Sequence, residues 1–448
     1  MNRVEIALKN ASQTKALLLG AGVVAGVATL YKEQFADHKA KIIADKTTWE
    51  IAGKRVSQLL SDAGVEQEEP YIFDEPEFHA EWKYIERLDA VLKESKAIPI
   101  AVGSGTINDL TKLCSFHNER RYMVVATAAS MDGYVAFGAS ITKDGNKQTF
   151  PCTAPQAVVA DTDIISTAPS HMTASGYADL FAKVPAGADW ILADALDIEP
   201  IDPLSFGIVQ DGLADALGNP EAIARNNDPK ALEKLIEGLL LGGFAMQAYP
   251  KSSRPASGAD HQFSHLLNME NFVMHNGEAP SHGFQVSIGT LVSLSFHQSL
   301  LNTDVAAIDV ERCVQAWPSL EEQEAYALKL YEGTDFPTLG AREIKAKYVD
   351  RDGLRAELNK LKERWPETRA RLQKQLVPVE EAVRRLHTVG APVKPEDIDL
   401  PRKRLRDSII RAQHIRRRYT ILDVGVRTCL LEQWKEDLFG KGGMWETN

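Results

Sequence analysis

Four of the chain's 11 histidines, His261, His265, His275 and His282, fall in one stretch, SRPASGADHQFSHLLNMENFVMHNGEAPSHG, running from Ser253 to Gly283. Imidazole is the commonest side-chain metal ligand and the usual acid or base near neutral pH. An open catalytic metal site takes about three protein ligands and leaves a position for water or substrate. His261 and His265 are four residues apart and share one face of a helix. His282 lies on the following turn, just before a helix expected from Gly283. The missing ligand is expected to be a carboxylate from another helix. Asp179 in SGYADLFAK, one turn into the first helix after the strands end, is the first candidate, and Asp189 deeper in the same pattern is its rival. His275 in MHNGEAP reads as a loop histidine, and His297, His387 and His414 as isolated histidines at ordinary surface or core positions. The competing reading of the cluster is a set of packed, hydrogen-bonded histidines without a metal.

A second chemistry is written in IPIAVGSGTINDLTK, residues 98–112. An apolar strand runs into Gly103-Ser104-Gly105-Thr106, and Ile107 leads into a helix that can start at Asn108. Glycine lets backbone approach a phosphate closely, and a helix N-terminus offers unpaired N–H groups with the positive dipole end. That arrangement suits a dinucleotide pyrophosphate; the plainer reading is a tight strand-to-helix turn. Asp45, after the strand KIIA, sits where an acidic residue can bind ribose hydroxyls, and equally where a helix N-cap is needed. Thr127, Ala128, Ala129 and Ser130 end a third strand in small residues, and Asp132 follows them. Thr127 and Ser130 can hydrogen-bond a cofactor and Asp132 can reach a substrate, although small residues at a strand end are also common packing.

The elements that must position these residues change character along the chain. Strands are expected at Lys15–Gly20, Lys41–Ala44, Ile98–Gly103, Tyr122–Thr127 and Ala157–Ala160, and helices at Trp49–Ala63 and Glu81–Glu94. Strands separated by helices imply a mostly parallel sheet in an α/β domain. After about Pro169 strand-like runs nearly vanish. Helices are expected at Gly176–Ala193, Ala231–Tyr249, Asp260–Met274, Gly283–Leu300, Leu320–Tyr331, Leu354–Glu363, Glu367–Leu376 and Arg402–Leu422. The expectation is therefore a nucleotide-binding α/β domain over residues 1–168, followed by an all-α metal- and substrate-binding domain over residues 169–448.

At 448 residues the chain is long for a single core, which agrees with two domains. The formal net charge of −11 argues against a general nucleic-acid binder, while leaving room for an anionic substrate in a local positive pocket. Cys114, Cys152, Cys313 and Cys429 are scattered without metal-ligand or disulfide spacing. The apolar run ALLLGAGVVAGVATLY, residues 16–31, is too short to span a membrane and reads as strand, glycine turn and buried helix. A cytoplasmic protein with no membrane partner is the expectation.

Taken in order, GSGTINDLTK (103–112), TAASMDG (127–133), PQAVVADTDIISTAP (155–169), SGYADLFAK (175–183), SRPASGADHQFSH (253–265) and SHGFQVSIGT (281–290) resemble the iron-containing alcohol dehydrogenase and dehydroquinate synthase-like superfamily. The motifs cover roughly residues 1–300, and the histidine series is the most specific of them.

The resemblance implies a divalent metal, zinc or nickel, held by Asp179, His261 and His282, with His265 and Asp132 contacting the substrate. It implies NAD(H) or NADP(H) bound by Asp45, Gly103, Ser104, Gly105, Thr106, Ile107 and Thr127–Ser130. It is strongest toward members acting on sn-glycerol 1-phosphate, which implies reversible reduction of dihydroxyacetone phosphate with the metal as Lewis acid. Helical domains of this size often pair, so a homodimer is the expectation. A dehydroquinate synthase-like lyase and a dehydrogenase of unphosphorylated glycerol are the alternatives; the former typically has Glu where Asp179 stands. Two departures stand out: Ser104 replaces the middle of a common GGG, and Ala136 replaces a common Ser. The substrate phosphate needs a positive partner, for which Arg254 and then the basic run Arg402–Arg418 are candidates.

Overall fold

The structure, a computed structural model, describes residues 2–75, 78–225, 228–250 and 252–447. The chain divides into two compact units. The first comprises Met1–Leu180, Leu204–Ala256 and Thr388–Gly390; the second comprises Phe181–Pro203, Ser257–His387 and Ala391–Asn448. The first unit thus runs past residue 168 and takes back a later stretch of helices.

The first unit is built on a parallel six-stranded sheet of β1 (Ala16–Gly20), β2 (Ala40–Asp45), β3 (Tyr71–Phe73), β4 (Ile98–Gly103), β5 (Met123–Ala126) and β8 (Ala157–Asp161), in the order β1-β8-β5-β4-β2-β3. A separate antiparallel hairpin pairs β6 (Ala139–Lys143) with β7 (Asn146–Phe150). Its Asp-Gly turn at residues 144–145 is the local signal for such a hairpin. The short strand β3 and this hairpin lie outside the strands expected above.

The sheet strands read as unbroken apolar runs because helices cover both faces. Ile42, Ile100, Val102, Met123, Val125 and Val159 go to one face with the helix Val27–Phe35, forming one buried core. Ile43, Ala101, Val124 and Val158 alternate to the other face and are equally buried. From β2 the chain steps outward to β3, then returns to β4 and proceeds through β5 to β8. That reversal puts the topological switch point between β2 and β4, the place where open α/β sheets bind ligands outside the strand ends. The residues at those ends are Asp45 and Gly103.

The helix Pro229–Ala248 belongs to this unit through Gln247. Its side chain accepts from the backbone N–H groups of Gln13 and Thr14, both at 3.0 Å, and donates to the carbonyl of Val135 at 2.7 Å. One buried amide therefore joins the segment before β1 to the loop after β5.

The second unit is helical, with no strand among its described residues. Three expected helices take different bounds, each for a local reason. The pattern read as Gly176–Ala193 is two helices, Ser170–Phe181 and Lys183–Ala195, because Pro185 has no N–H to give the carbonyl of Phe181. The helix expected to reach Met274 ends at Met269, where the chain turns through Asn271 in the left-handed region, φ 49°. The run Arg402–Leu422 stops at His414 and restarts at Ile421, with Thr420 and Asp423 forming a capping box. In the opposite sense, the two helices expected around Pro366 are one, Arg351–Gln375. Its buried stripe of Leu354, Leu358, Leu361, Trp365 and Leu372 runs through the proline, so packing outweighs one missing hydrogen bond. No described helix is long and apolar enough to cross a membrane.

His414 is buried at the end of its helix with Nδ1 bonded to the carbonyl of Ile410 at 2.7 Å. Burial pulls its pKa down to about 4. The unfolded chain binds a proton here below about pH 6.5, while the folded chain does not until about pH 4. Stability is therefore full above the unfolded value and falls on acidification through this window, by at most about 3 kcal/mol from this group. Denaturant melts between pH 4 and 7 should show this slope in the wild type and a shallower one in His414→Gln; equal slopes would remove His414 as its source.

Candidate functional site

The second unit gathers three of the four clustered histidines. The helix Ala259–Met269 carries His261 and His265, whose ring centroids are 6.3 Å apart, and the helix His282–Asn302 places His282 5.3 Å from His261. Close approach of the two helices depends on Gly289. A Cβ there would fall 2.2 Å from the carbonyl oxygen of Asp260, so no other residue fits without separating the helices. His275 is on an exposed turn against Asp399, apart from this group.

Each imidazole is held in a defined state. The Nδ1 of His261 bonds to Oδ2 of the adjacent Asp260, a fully buried carboxylate. The Nδ1 of His282 faces the hydroxyl of Ser264 at 3.2 Å, and that hydroxyl donates to Oε1 of Gln285 at 3.3 Å. Gln285 is fixed in turn by donating to Asn268 at 3.1 Å and to the carbonyl of Pro280 at 2.9 Å. A ring whose Nδ1–H is donated carries its lone pair on Nε2, the tautomer in which a histidine ligates metal. His265 differs: burial, aided by the charges of Arg416, His261, His282 and Arg418, holds its pKa well below the usual value. It is a neutral imidazole at physiological pH.

Asp189, the rival carboxylate, has another task. Its Oδ2 accepts from the backbone N–H of Ala259 at 2.7 Å, and its Oδ1 accepts from that of Ile421 at 2.7 Å and faces Nε2 of His297 at 3.1 Å. Both side chains are completely buried. Asp189 thus pins the start of the histidine helix, and His297 is its partner in the core. Asp260, Ser264, Gln285 and this role of Asp189 were not legible as site features. Only the adjacency of Asp260 to His261 was available as a signal.

In the first unit, β4 runs into Gly103, against which Ile107 packs so closely that a Cβ would lie 2.5 Å from the Ile107 Cβ. Ser104 is the N-cap of the helix Gly105–His117 with φ −82°, the ordinary backbone that a GGG-to-GSG change requires. Thr106 and Ile107 are in its first turn, where N–H groups lack helical partners. Asp45 caps the short helix after β2, its Oδ1 accepting from Thr48 N–H at 2.8 Å.

The loop after β5 is clamped from several sides. Thr127 N–H bonds to the carbonyl of Gly103 at 3.1 Å, and the Tyr134 hydroxyl donates to that of Ala128 at 2.8 Å. Ala129 is buried beside them, and the Ser175 hydroxyl donates to the carbonyl of Ser130 at 3.2 Å. Asp132 N–H donates to Oδ2 of Asp179 at 2.9 Å, and Asp179 is fully buried. Lys112 is also fully buried, its ammonium donating to the carbonyls of Gly133, Ala136 and Gly138. The last residue of GSGTINDLTK therefore fixes this loop, and the backbone of Ala136 is one of the groups it holds. Arg254 is buried in a short turn at the end of this unit.

Comparison with known proteins bears on the family and the fold. Residues 18–169 match the model of the iron-containing alcohol dehydrogenase family. The chain is 32% identical over 260 residues to glycerol-1-phosphate dehydrogenase [NAD(P)+] of Halalkalibacterium halodurans, a match covering 58% of this chain and 64% of the relative. It is 33% identical over 282 residues to the protein of that name from Methanosarcina mazei, covering 63% of this chain and 76% of the relative. Among solved structures, glycerol dehydrogenase from Schizosaccharomyces pombe has a TM-score of 0.59 at 15% identity, covering 95% of this chain and 92% of that one. A probable glycerol dehydrogenase from Sinorhizobium meliloti has a TM-score of 0.58 at 17% identity, covering 95% and 98%. Likeness at such identities speaks for the fold alone. With its switch-point sheet, its paired imidazoles and these relatives, the chain belongs to the iron-containing alcohol dehydrogenase family, alongside the glycerol-1-phosphate dehydrogenases.

Proposed function

We propose that this chain is an NAD(P)-dependent, metal-dependent dehydrogenase that reversibly reduces dihydroxyacetone phosphate to sn-glycerol 1-phosphate. The observation that carries the reading is the pair His261 and His282, each with Nδ1 held by a buried partner and Nε2 in the ligating tautomer. Asp179 is the third ligand of the proposal; one carboxylate and two imidazoles are a ligand set of the kind that open catalytic metal sites use. Zinc and nickel both accept such ligands. The names of the relatives support the substrate and the cofactor class.

When bound, the divalent cation supplies Lewis acidity toward the ketone oxygen and the reduced nicotinamide supplies the hydride. Asp179 contributes one negative charge to the ligand set. The neutral His265 would hydrogen-bond the substrate oxygen through a ring N–H, and as a relay it would pass a proton to that oxygen while taking one from solvent at its other ring nitrogen. Asp132, its backbone N–H fixed on Asp179, orients the substrate. The N–H groups of the turn Gly103–Ile107 receive the cofactor pyrophosphate at the helix N-terminus. Asp45 binds the adenosine ribose while capping its own helix, and Thr127–Ser130 line the cofactor. In this reading residues 1–168 serve the nucleotide, apart from Asp132 at the substrate, and residues 169–448 the metal and the substrate.

Loss of NADH or NADPH absorbance on adding dihydroxyacetone phosphate should require a divalent metal, stop on chelation and return with zinc or nickel; no turnover with either metal would contradict the reading. Asp260→Asn keeps the shape of the His261 partner and removes its charge. It should weaken metal affinity by about 10- to 100-fold, as loss of a carboxylate behind a ligating histidine does. Titration against a chromophoric chelator measures this, and unchanged affinity would take Asp260 out of the site.

A further inference from the structure

Strands β2 and β3 run side by side and parallel, in a register that pairs Ile43 with Tyr71, Ala44 with Ile72 and Asp45 with Phe73. The next step along both strands brings Lys46 opposite Asp74, at the carboxyl end of the sheet beside the switch point. Their side chains meet there: the Lys46 ammonium forms an ion pair with Oδ1 of Asp74. The two side chains are 69% and 68% exposed, so the pair faces solvent and belongs to no core. Other charges nearby are matched among themselves. Lys54 pairs with Glu50 one helical turn away at 2.6 Å, and Arg87 pairs with Glu75.

Asp45 precedes Lys46 and lies on the strand between β3 and β4. Its Oδ1 is occupied by Thr48 N–H, which leaves Oδ2 for a ribose hydroxyl. A phosphate on the adenosine 2′-oxygen carries about two negative charges. Placed at Asp45 it meets one carboxylate directly. One residue on, it meets an ammonium that a second carboxylate already holds. Like charges at such range repel, and the compensating cation must first leave its partner.

We propose that Asp74 sets the nucleotide preference of this site: by holding Lys46 it withholds the cation that a 2′-phosphate needs, and so favours NAD(H) over NADP(H). The proposal rests on the reading of Asp45 as the ribose contact, and it chooses between the two nucleotides that this reading allows. Asp74 acts through Lys46 and is not itself a catalytic residue. An exposed ion pair is a light lock that added salt weakens, so the preference is several-fold and not an exclusion.

Fluorescence titration of NADH and NADPH into the wild type, Asp74→Asn, Lys46→Met and the double variant gives the ratio of the two Kd values without requiring any ketone to turn over. The wild type should bind NADH more tightly. Asp74→Asn should move the ratio toward NADPH by about 3- to 10-fold, the worth of an exposed ion pair together with one like charge removed. The change should lie in NADPH and shrink at high salt. Lys46→Met alone should give no gain for NADPH, and the double variant should lose most of the gain of Asp74→Asn, because the released cation is gone. An unchanged ratio in Asp74→Asn, a gain kept in full by the double variant, or tighter binding of NADPH by the wild type would overturn the proposal while leaving the nucleotide site in place. Binding of neither nucleotide by the wild type would overturn the cofactor reading, and the proposal with it.

Discussion

One buried carboxylate organises the second unit. Asp189 accepts from the N–H groups of Ala259 and Ile421 and faces His297. Those bonds join four pieces of chain: the helix Lys183–Ala195, the start of the histidine helix, the helix His282–Asn302, and the helix that begins at Ile421. A buried carboxylate is expensive unless its oxygens are bonded, and here backbone donors that would otherwise be unsatisfied at two helix starts supply the bonds. The close contact at Gly289 then sets the distance between the two helices that carry the imidazoles. Removing Asp189 would therefore loosen every group in this unit that the functional reading uses.

Within that frame, identical side chains acquire different roles from their immediate partners. His261 has a carboxylate behind it, His282 a hydroxyl relayed to an amide, and His265 two guanidinium charges in its surroundings. A carboxylate behind an imidazole raises its basicity as a ligand, whereas burial, with cationic neighbours adding to it, keeps an imidazole neutral and suited to hydrogen bonding. His297, on the same helix as His282, is taken up by Asp189. The proposed division between ligand, substrate contact and core follows from these partners and not from the ring itself.

The sequence was most legible where the pattern is short-range. The strand into Gly103 was read with its observed bounds, and the helix after it starts at Gly105, three residues before the expected Asn108, because a buried apolar run and a glycine turn are local signals while the first helical turn carries no apolar pattern. The i, i+4 pair His261 and His265 was legible for the same reason. What escaped depends on contacts far along the chain. Nothing near Asp189 signals its bond to Ile421 N–H, 232 residues away. Pro366 reads as a helix break, yet the packed stripe on both sides of it overrides the lost bond. The run Arg402–Leu422 has unbroken helical periodicity, and only the cap at Thr420 reveals that Arg416–Thr420 is a connector. Asp45 could be a cap or a ribose ligand on spacing alone; its bond to Thr48 establishes the cap, and the ribose remains part of the proposed function.

The central claim is that His261 and His282 hold one divalent ion with a carboxylate and no sulfur. X-ray absorption on the zinc-loaded protein addresses it directly. The account predicts one zinc per chain with two imidazole nitrogens at about 2.0–2.1 Å and oxygen at about 2.0–2.2 Å, and one imidazole fewer in His282→Ala. A shell containing sulfur, or a spectrum unchanged by that substitution, would contradict it.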